Sequence, residues 1–170
     1  MDSRQSRRGK RISKQQEKQA AADLGGRLQA GSGAAKFSGG GDVRVMGKLR
    51  VECKYTENDS YSLKFSELEK LWKQAIKALE FPVFQFAFKD PSGRLEKYAV
   101  IPWDLNVTAK EVIEVEAKSW TFRRHSTKAM TANQGWVQLI FHVKEGTSLR
   151  SRYYRLLGWD DFVEGQGTDA

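Results

Sequence analysis

Between Asp42 and Tyr55 the chain sorts its residues into two faces with almost no exceptions. Val43, Val45, Leu49, Val51, Cys53 and Tyr55 occupy odd positions, while Asp42, Arg44, Arg50, Glu52 and Lys54 occupy even ones. A period of two is the signature of a β-strand with one face against a core. The break at Met46-Gly47-Lys48 supplies a three-residue hairpin turn that preserves this parity. Such a hairpin sets Asp42 opposite Glu52. A slip of one residue would turn every apolar side chain outward, so the register is strongly specified.

The flanking segments predict a layered fold. Ser13 with Gln16 three residues on has the form of a capping box, Ala20, Ala21 and Leu24 make an apolar stripe, and Gly25-Gly26 supply a stop, predicting a helix over 14–24. Residues 1–12 read as a flexible basic arm. Gly31 to Gly41 hold five glycines within Gly31-Ser32-Gly33 and Gly39-Gly40-Gly41 and read as a loop that a nucleic-acid strand can approach closely. Ser66 and Glu69 suggest a second capping box, followed by Leu68, Leu71, Trp72, Ala75, Ile76 and Leu79 at helical spacing and a stop at Pro82. Val83–Lys89 and Leu95–Ile101 read as strands around an Asp90-Pro91-Ser92-Gly93 turn. Strand-like composition returns at 112–117, 136–143 and 152–157, with a closing helical turn at 159–163, a frayed tail at 164–170 and no internal repeat. The expected class is α/β (α+β): a mixed central sheet flanked by helices, divided into a core at 13–102 and a strand-rich extension at 103–163.

Charge points to an anionic partner. The 170 residues carry 29 Lys plus Arg against 21 Asp plus Glu, a net charge of +8, and five of those net charges fall within residues 1–18. Arg7, Arg8, Lys10, Arg11 and Lys14 on the arm, with Arg27, Ser32 and Lys36 around the glycine loop, are the candidate nucleic-acid contacts. Basic strips at Arg123, Arg124, Arg150, Arg152 and Arg155, near Trp120, Phe122, Tyr153 and Tyr154, are a candidate second DNA face. No apolar run approaches a membrane span, and no apolar segment follows the basic start. A lone Cys53 makes no internal disulfide, so an intracellular, cytoplasmic setting is expected.

The even face of the hairpin carries the chemistry. Glu52 and Lys54 project side by side next to Asp42, and paired carboxylates of this kind suit a hard divalent cation such as Mg²⁺, while the lysine can orient or deprotonate a water or stabilise charge on a phosphoryl oxygen. A solvated, salt-bridged sheet face is the plain alternative. Glu17, which shares the face of Ala20, Ala21 and Leu24, is an acid on an apolar stripe and so suggests a cationic neighbour. A second Glu-x-Lys, Glu116-Ala117-Lys118 with Asp104 upstream, lacks the preceding helix glutamate and glycine loop. His125 and His142 lack zinc-ligand spacing, and no G-x-S-x-G nucleophile elbow occurs.

The order of helix glutamate, glycine loop, Asp42, turn and Glu52-Cys53-Lys54 resembles the PD-(D/E)xK nuclease superfamily. The run Ala30-Gly31-Ser32, Asp42, Gly47-Lys48, Glu52-Cys53-Lys54 is similar to archaeal-type Holliday junction resolvases, including phage-encoded ones. The resemblance covers about residues 13–101; Gly41 stands where the motif has proline, and 103–170 exceed the minimal family core. It implies a restriction-endonuclease-like core and a homodimer that nicks opposing strands of a four-way DNA junction in a bacterial or phage-infected cell. Glu17, Asp42 and Glu52 would be the metal-binding acids for Mg²⁺, with Mn²⁺ as substitute. Lys54 would be the catalytic lysine, the Cys53 carbonyl a further metal ligand, and Ser32 a loop serine near the scissile strand. Alternatives are a related flap, single-strand or duplex-end nuclease, and a non-catalytic nucleic-acid-binding protein.

Overall fold

The computed structural model describes residues 3–29, 42–103, 111–116, 118–145 and 147–167. The elements run α1 (Ser3–Asp23), β1 (Arg27–Leu28), β2 (Val43–Val45), β3 (Leu49–Thr56), β4 (Ser60–Lys64), α2 (Phe65–Lys77), β5 (Phe81–Lys89), β6 (Leu95–Pro102), β7 (Val112–Val115), β8 (Ser119–Arg123), α3 (Arg124–Gln134), β9 (Trp136–Glu145), β10 (Ser148–Gly158) and α4 (Trp159–Gly167). The chain is mixed α/β. Eight strands form one sheet in the order β1-β2-β3-β5-β6-β10-β9-β7, and β4 pairs with β8 in a separate ribbon. Only β3–β5 and β7–β9 are parallel pairs among the described residues. Among the described residues no helix is long and apolar enough to cross a membrane.

Parity along β2 and β3 assigns the two faces of the sheet. On the odd face, Val43, Val51, Cys53 and Val83 are buried with Ala20 and Ala21 of α1 and with Trp159 and Phe162 of α4. On the even face, Phe84, Phe86 and Phe88 are buried with Leu68 and Leu71 of α2 and with Leu63 and Phe122 of the β4–β8 ribbon. A sheet covered on both sides explains why Pro82 to Phe88 is buried without alternation.

Each parallel pair needs a crossover, and the two crossovers have the same form: a short strand running straight into a helix. They interlock. The Phe65 N–H at the start of α2 donates to the Lys118 carbonyl, and the Arg124 N–H at the start of α3 donates to the Asp59 carbonyl, so each helix is capped by the other crossover's backbone. This likeness lies in topology, and the sequence shows no repeat to announce it. The strands of the C-terminal extension continue the core sheet, with β10 paired to β6 from Tyr154↔Pro102 to Gly158↔Tyr98.

Several boundaries differ from the sequence expectation. The helix predicted over 14–24 begins at Ser3, so the basic segment 3–12 is helical; Lys, Arg and Gln are good helix formers, and Ser13 lies in the helix interior, donating to Glu17 at 3.1 Å instead of capping. Its end is as expected: Gly25 has φ +62° and the Gly26 N–H reaches back to the Ala21 carbonyl at 2.8 Å, closing a Schellman turn. α2 starts at Phe65 after Lys64, with no side-chain cap from Ser66; its Trp72 and Ile76 are exposed, and Leu79 lies exposed just beyond its end. Pro82 does not end α2. Leu79 does, by adopting φ +54° while the Glu80 N–H bonds back to the Ala75 carbonyl, and Pro82 sits inside β5 opposite Arg50. The tail expected to fray from 164 instead continues α4 to Gly167.

Candidate active site on the β2–β3 ribbon

The hairpin has the expected register. Val43 pairs with Val51, Arg44 with Arg50 and Val45 with Leu49 around Met46-Gly47-Lys48, where Gly47 takes φ +69° and the Lys48 N–H donates to the Val45 carbonyl at 2.9 Å. Continued by one residue, this register faces Asp42 with Glu52. The Asp42 N–H donates to the Val51 carbonyl at 2.8 Å, and its Oδ2 accepts the Cys53 N–H at 2.7 Å. Asp42 is therefore fixed by backbone at both ends. The Lys54 ammonium donates to Glu52 Oε1 on the same strand face.

The even face divides into two charge clusters. Arg44 and Arg50, a like-charged pair directly across the ribbon, both donate to Glu80, Arg50 Nε reaching Oε2 at 2.8 Å and Arg44 Nε reaching Oε1 at 2.9 Å. Arg50 is 2% exposed and Glu80 5%. Burial alone would raise the Glu80 carboxyl, but the two guanidiniums hold it below its ordinary range. At the other end stand Asp42, Glu52 and Lys54, half-buried.

Electrostatics tie further groups to this second cluster. Burial, then the charge of Glu52, then that of Glu17, push the Asp42 carboxyl up to about 6 despite the Cys53 N–H and Lys54. The charge of Glu17 on α1 thus acts on Asp42, while its carboxylate accepts a hydrogen bond from Ser13. Burial would lower Lys54, but Glu52, Asp42 and Glu67 outweigh it and raise its pKa, so it is an ammonium at neutral pH and a donor, not a base. The Cys53 thiol is buried in the odd-face core and pushed up by that burial and the surrounding acids, which leaves only its backbone to the site. Among the described residues no three His, Cys, Asp or Glu side chains stand at metal-ligating spacing. Asp42, Glu52 and Glu17 share a field here, with Glu52 turned to Lys54.

Three residues were missed by sequence reasoning. Gln16, read as a capping partner, is buried and donates to the Lys54 carbonyl at 3.0 Å and to Gln85 Oε1 at 2.8 Å, which pins α1, and hence Glu17, over the ribbon. Glu67 in the first turn of α2 places its charge on Lys54 and on Tyr61, whose hydroxyl burial, Glu67 and Glu52 raise far above its ordinary value. Tyr61 stacks on Phe86 at 5.1 Å between ring centroids. Of these, only Glu67 had any signal in the sequence, as an acid near a helix start.

The candidate nucleic-acid contacts fall on different elements. Lys10, Arg11 and Lys14 are exposed on α1 and Arg27 is exposed on β1; Arg7 and Arg8 lie in the first turns of α1; Ser32 and Lys36 lie outside the described residues. The second basic strip is not one surface. Arg124 is buried and 3.1 Å from Asp59, and the Arg155 guanidinium lies 4.2 Å from the ring centroids of both Trp103 and Trp136. No protein-family model matches the chain, and no curated protein matches its sequence.

The crowding of acids makes a stability prediction. A carboxyl whose folded pKa is raised binds its proton more tightly when folded, so wild type loses stability relative to Asp42→Asn as the pH rises from about 4 through about 6. In urea unfolding with chelator present, the two proteins should match near pH 4 and differ near pH 7 by ~1 kcal/mol in favour of Asp42→Asn, after allowance for solvent screening at a part-exposed site. The amide still accepts the Cys53 N–H.

Proposed function

We propose that the chain is a divalent-metal-dependent DNA endonuclease with a restriction-endonuclease-like core, acting on branched DNA as a homodimer. The observation that carries this reading is the ribbon register, which faces Asp42 with Glu52 and sets Lys54 two residues on while Gln16 holds the Glu17 helix above them. Asp42 and Glu52 face each other beside Lys54, with the charge of Glu17 acting on Asp42; among the described residues these acids do not stand at metal-ligating spacing, but their hard oxygens are of the kind that takes Mg²⁺ or Mn²⁺. Asp42 and Glu52, with Glu17 and the Cys53 carbonyl, would hold the ion, which when bound lowers the pKa of a water and offsets charge on the phosphate.

The chain's own residues would do the rest. Asp42 is presented in one orientation by the Cys53 N–H. Lys54, already protonated, donates to a non-bridging phosphoryl oxygen as charge develops there. Water attacks phosphorus in line, the P–O3′ bond breaks, and the products are a 5′-phosphate and a 3′-hydroxyl. The exposed cations of α1 hold phosphates and so favour branch shape over base sequence.

A panel of four-way junction, flap, single-strand and linear duplex DNA, with Mg²⁺ or with chelator and with Lys54→Ala as control, tests the reading. Metal-dependent paired nicking of the junction by wild type alone is expected. Preference for flaps or ends would make it a related nuclease. The Glu52–Lys54 ion pair is also what a purely binding surface would hold, and DNA binding with neither cleavage nor stabilisation by metal would establish that instead. Replacing Lys10, Arg11 and Lys14 together by alanine should weaken junction binding and flatten the slope of log affinity against log salt by roughly 1 for each phosphate no longer neutralised. An unchanged slope would remove α1 from the DNA interface.

A further inference from the structure

On the side of α2 away from Glu67, a cavity of about 210 Å³ lies between the helix and the residues of β6 and β10. Phe65 and Trp72 of α2, Trp103 after β6 and Tyr154 of β10 supply aromatic walls, and Glu69 and Arg152 supply opposite charges. Trp72 is 38% exposed, an unusual place for an indole on a helix whose Leu68 and Leu71 are buried. The Arg152 guanidinium lies 5.9 Å from its ring centroid.

The opposite wall is rigid. Trp103 is tilted against Trp136 with centroids 5.1 Å apart, and the Arg155 guanidinium lies against both rings. The Trp103 N–H is anchored on the Tyr153 carbonyl at 3.1 Å. The Trp103 ring is thus held against Trp136 and Arg155 and its backbone is tied to β10, while Trp72 is partly open to solvent.

We infer that this cavity receives a single unstacked nucleobase of a DNA strand. Its size suits one planar ring system, its aromatic walls suit stacking, and a carboxylate and a guanidinium at the rim offer an acceptor and donors to base edges or the adjoining phosphate. An aromatic groove can also take a proline-rich peptide. The rim arginine and the net charge of +8 favour a ligand that carries phosphate. The inference deepens the nuclease reading and rests on its nucleic-acid partner, since unpaired bases occur where a branched substrate opens. α2 connects the two sites: the charge of Glu67 acts on Lys54, and Glu69, two residues on and so nearly on the opposite side of the helix, lines the cavity.

The test is binding of a short single-stranded oligonucleotide, of the same oligonucleotide with one central abasic residue, and of a 5′-mononucleotide. Tryptophan fluorescence and anisotropy would be followed for wild type, Trp72→Ala and Trp72→Phe. Wild type should bind the intact strand about tenfold or more tightly than Trp72→Ala, with the salt slope unchanged because stacking releases no counterions, and Trp72→Phe should restore most of the loss. The mononucleotide should quench wild-type fluorescence, and the abasic strand should quench it less than the intact one.

Equal affinity of wild type and Trp72→Ala for the intact strand would overturn the inference and leave the nuclease reading standing. The converse result, a Trp72 effect with no cleavage anywhere in the junction panel, would support the cavity and sink the nuclease. A proline-rich peptide that quenches where the mononucleotide does not would overturn the assignment in favour of a protein partner. So would a loss of molecular mass by light scattering in Trp72→Ala that accounts for all the lost affinity, because the indole would then belong to a subunit contact.

Discussion

On the nuclease reading, the Asp42→Asn protein should fold, bind a four-way junction at least as tightly as wild type and cleave it about 100- to 1000-fold more slowly in Mg²⁺. Tight binding follows because the substitution removes a negative charge from a surface that must accept phosphates. The loss of rate would follow because Asp42 is held in one orientation, through its own N–H on Val51 and through its Oδ2 on Cys53. Asparagine keeps the shape and the Cys53 hydrogen bond but lacks the charge that a divalent ion requires, and removing one preorganised electrostatic partner from such a site slows the reaction by two to three orders of magnitude. Single-turnover cleavage measured beside junction binding checks it. Wild-type rates in Asp42→Asn would show that the ribbon acids play no part, whatever else the protein does to DNA.

Glu80→Ala should cost about 3–5 kcal/mol of stability, since it strands two guanidiniums against the even face with no carboxylate between them. Arg44 and Arg50 face each other across the ribbon, a pairing that by itself repels. Glu80 converts it into a bridge. Its side chain arrives there because Leu79 takes a left-handed conformation at the end of α2 and turns the chain toward β5. Replacing Arg44, Arg50 and Glu80 jointly by apolar residues of similar volume should cost less than Glu80→Ala alone, because no buried charge is then left unmatched. Urea unfolding of the single and triple variants decides the point. A Glu80→Ala loss below ~1 kcal/mol would mean that water reaches the cluster. The contribution has a sign in pH: a carboxyl lowered in the fold stabilises above its ordinary range and ceases to do so as acid protonates it.

The β2–β3 hairpin was readable from the amino-acid sequence because everything that determines it is local. Two alternating runs and a three-residue turn set the register, and the register alone faces Asp42 with Glu52. Charged even-numbered residues, however, did not mean a solvated face. Arg50 is covered because α2 and β5 bring Glu80 to it from thirty residues away, and no local pattern encodes that. Helix α3 escaped notice for a related reason. Its buried side includes Thr127 and Thr131, whose hydroxyls bond to the carbonyls of Arg123 and Thr127 four residues back, so the helix has a core side without an apolar stripe. Gln16 shows the same limit at the site itself. A glutamine reads as surface until a strand carbonyl from β3 and an amide from β5 are placed beside it.

Three seams among the described residues join those up to Trp103 to those from Glu111 on: the β6–β10 ladder inside the sheet, the β4–β8 ribbon with its reciprocal helix caps, and α4 packed on α1 with Trp159 hydrogen-bonded to Asp23. Neither half closes its own sheet. A polypeptide severed between those two residues would therefore leave fragments with complementary, unsatisfied edges, each the missing template of the other, and reassembly from two separate chains becomes a natural property of this architecture. Conversely, the first half emerging from a ribosome carries every acid of the ribbon before the strand that stabilises its far edge has been made. On the nuclease reading, competence in cleaving DNA is then delayed until translation is nearly complete.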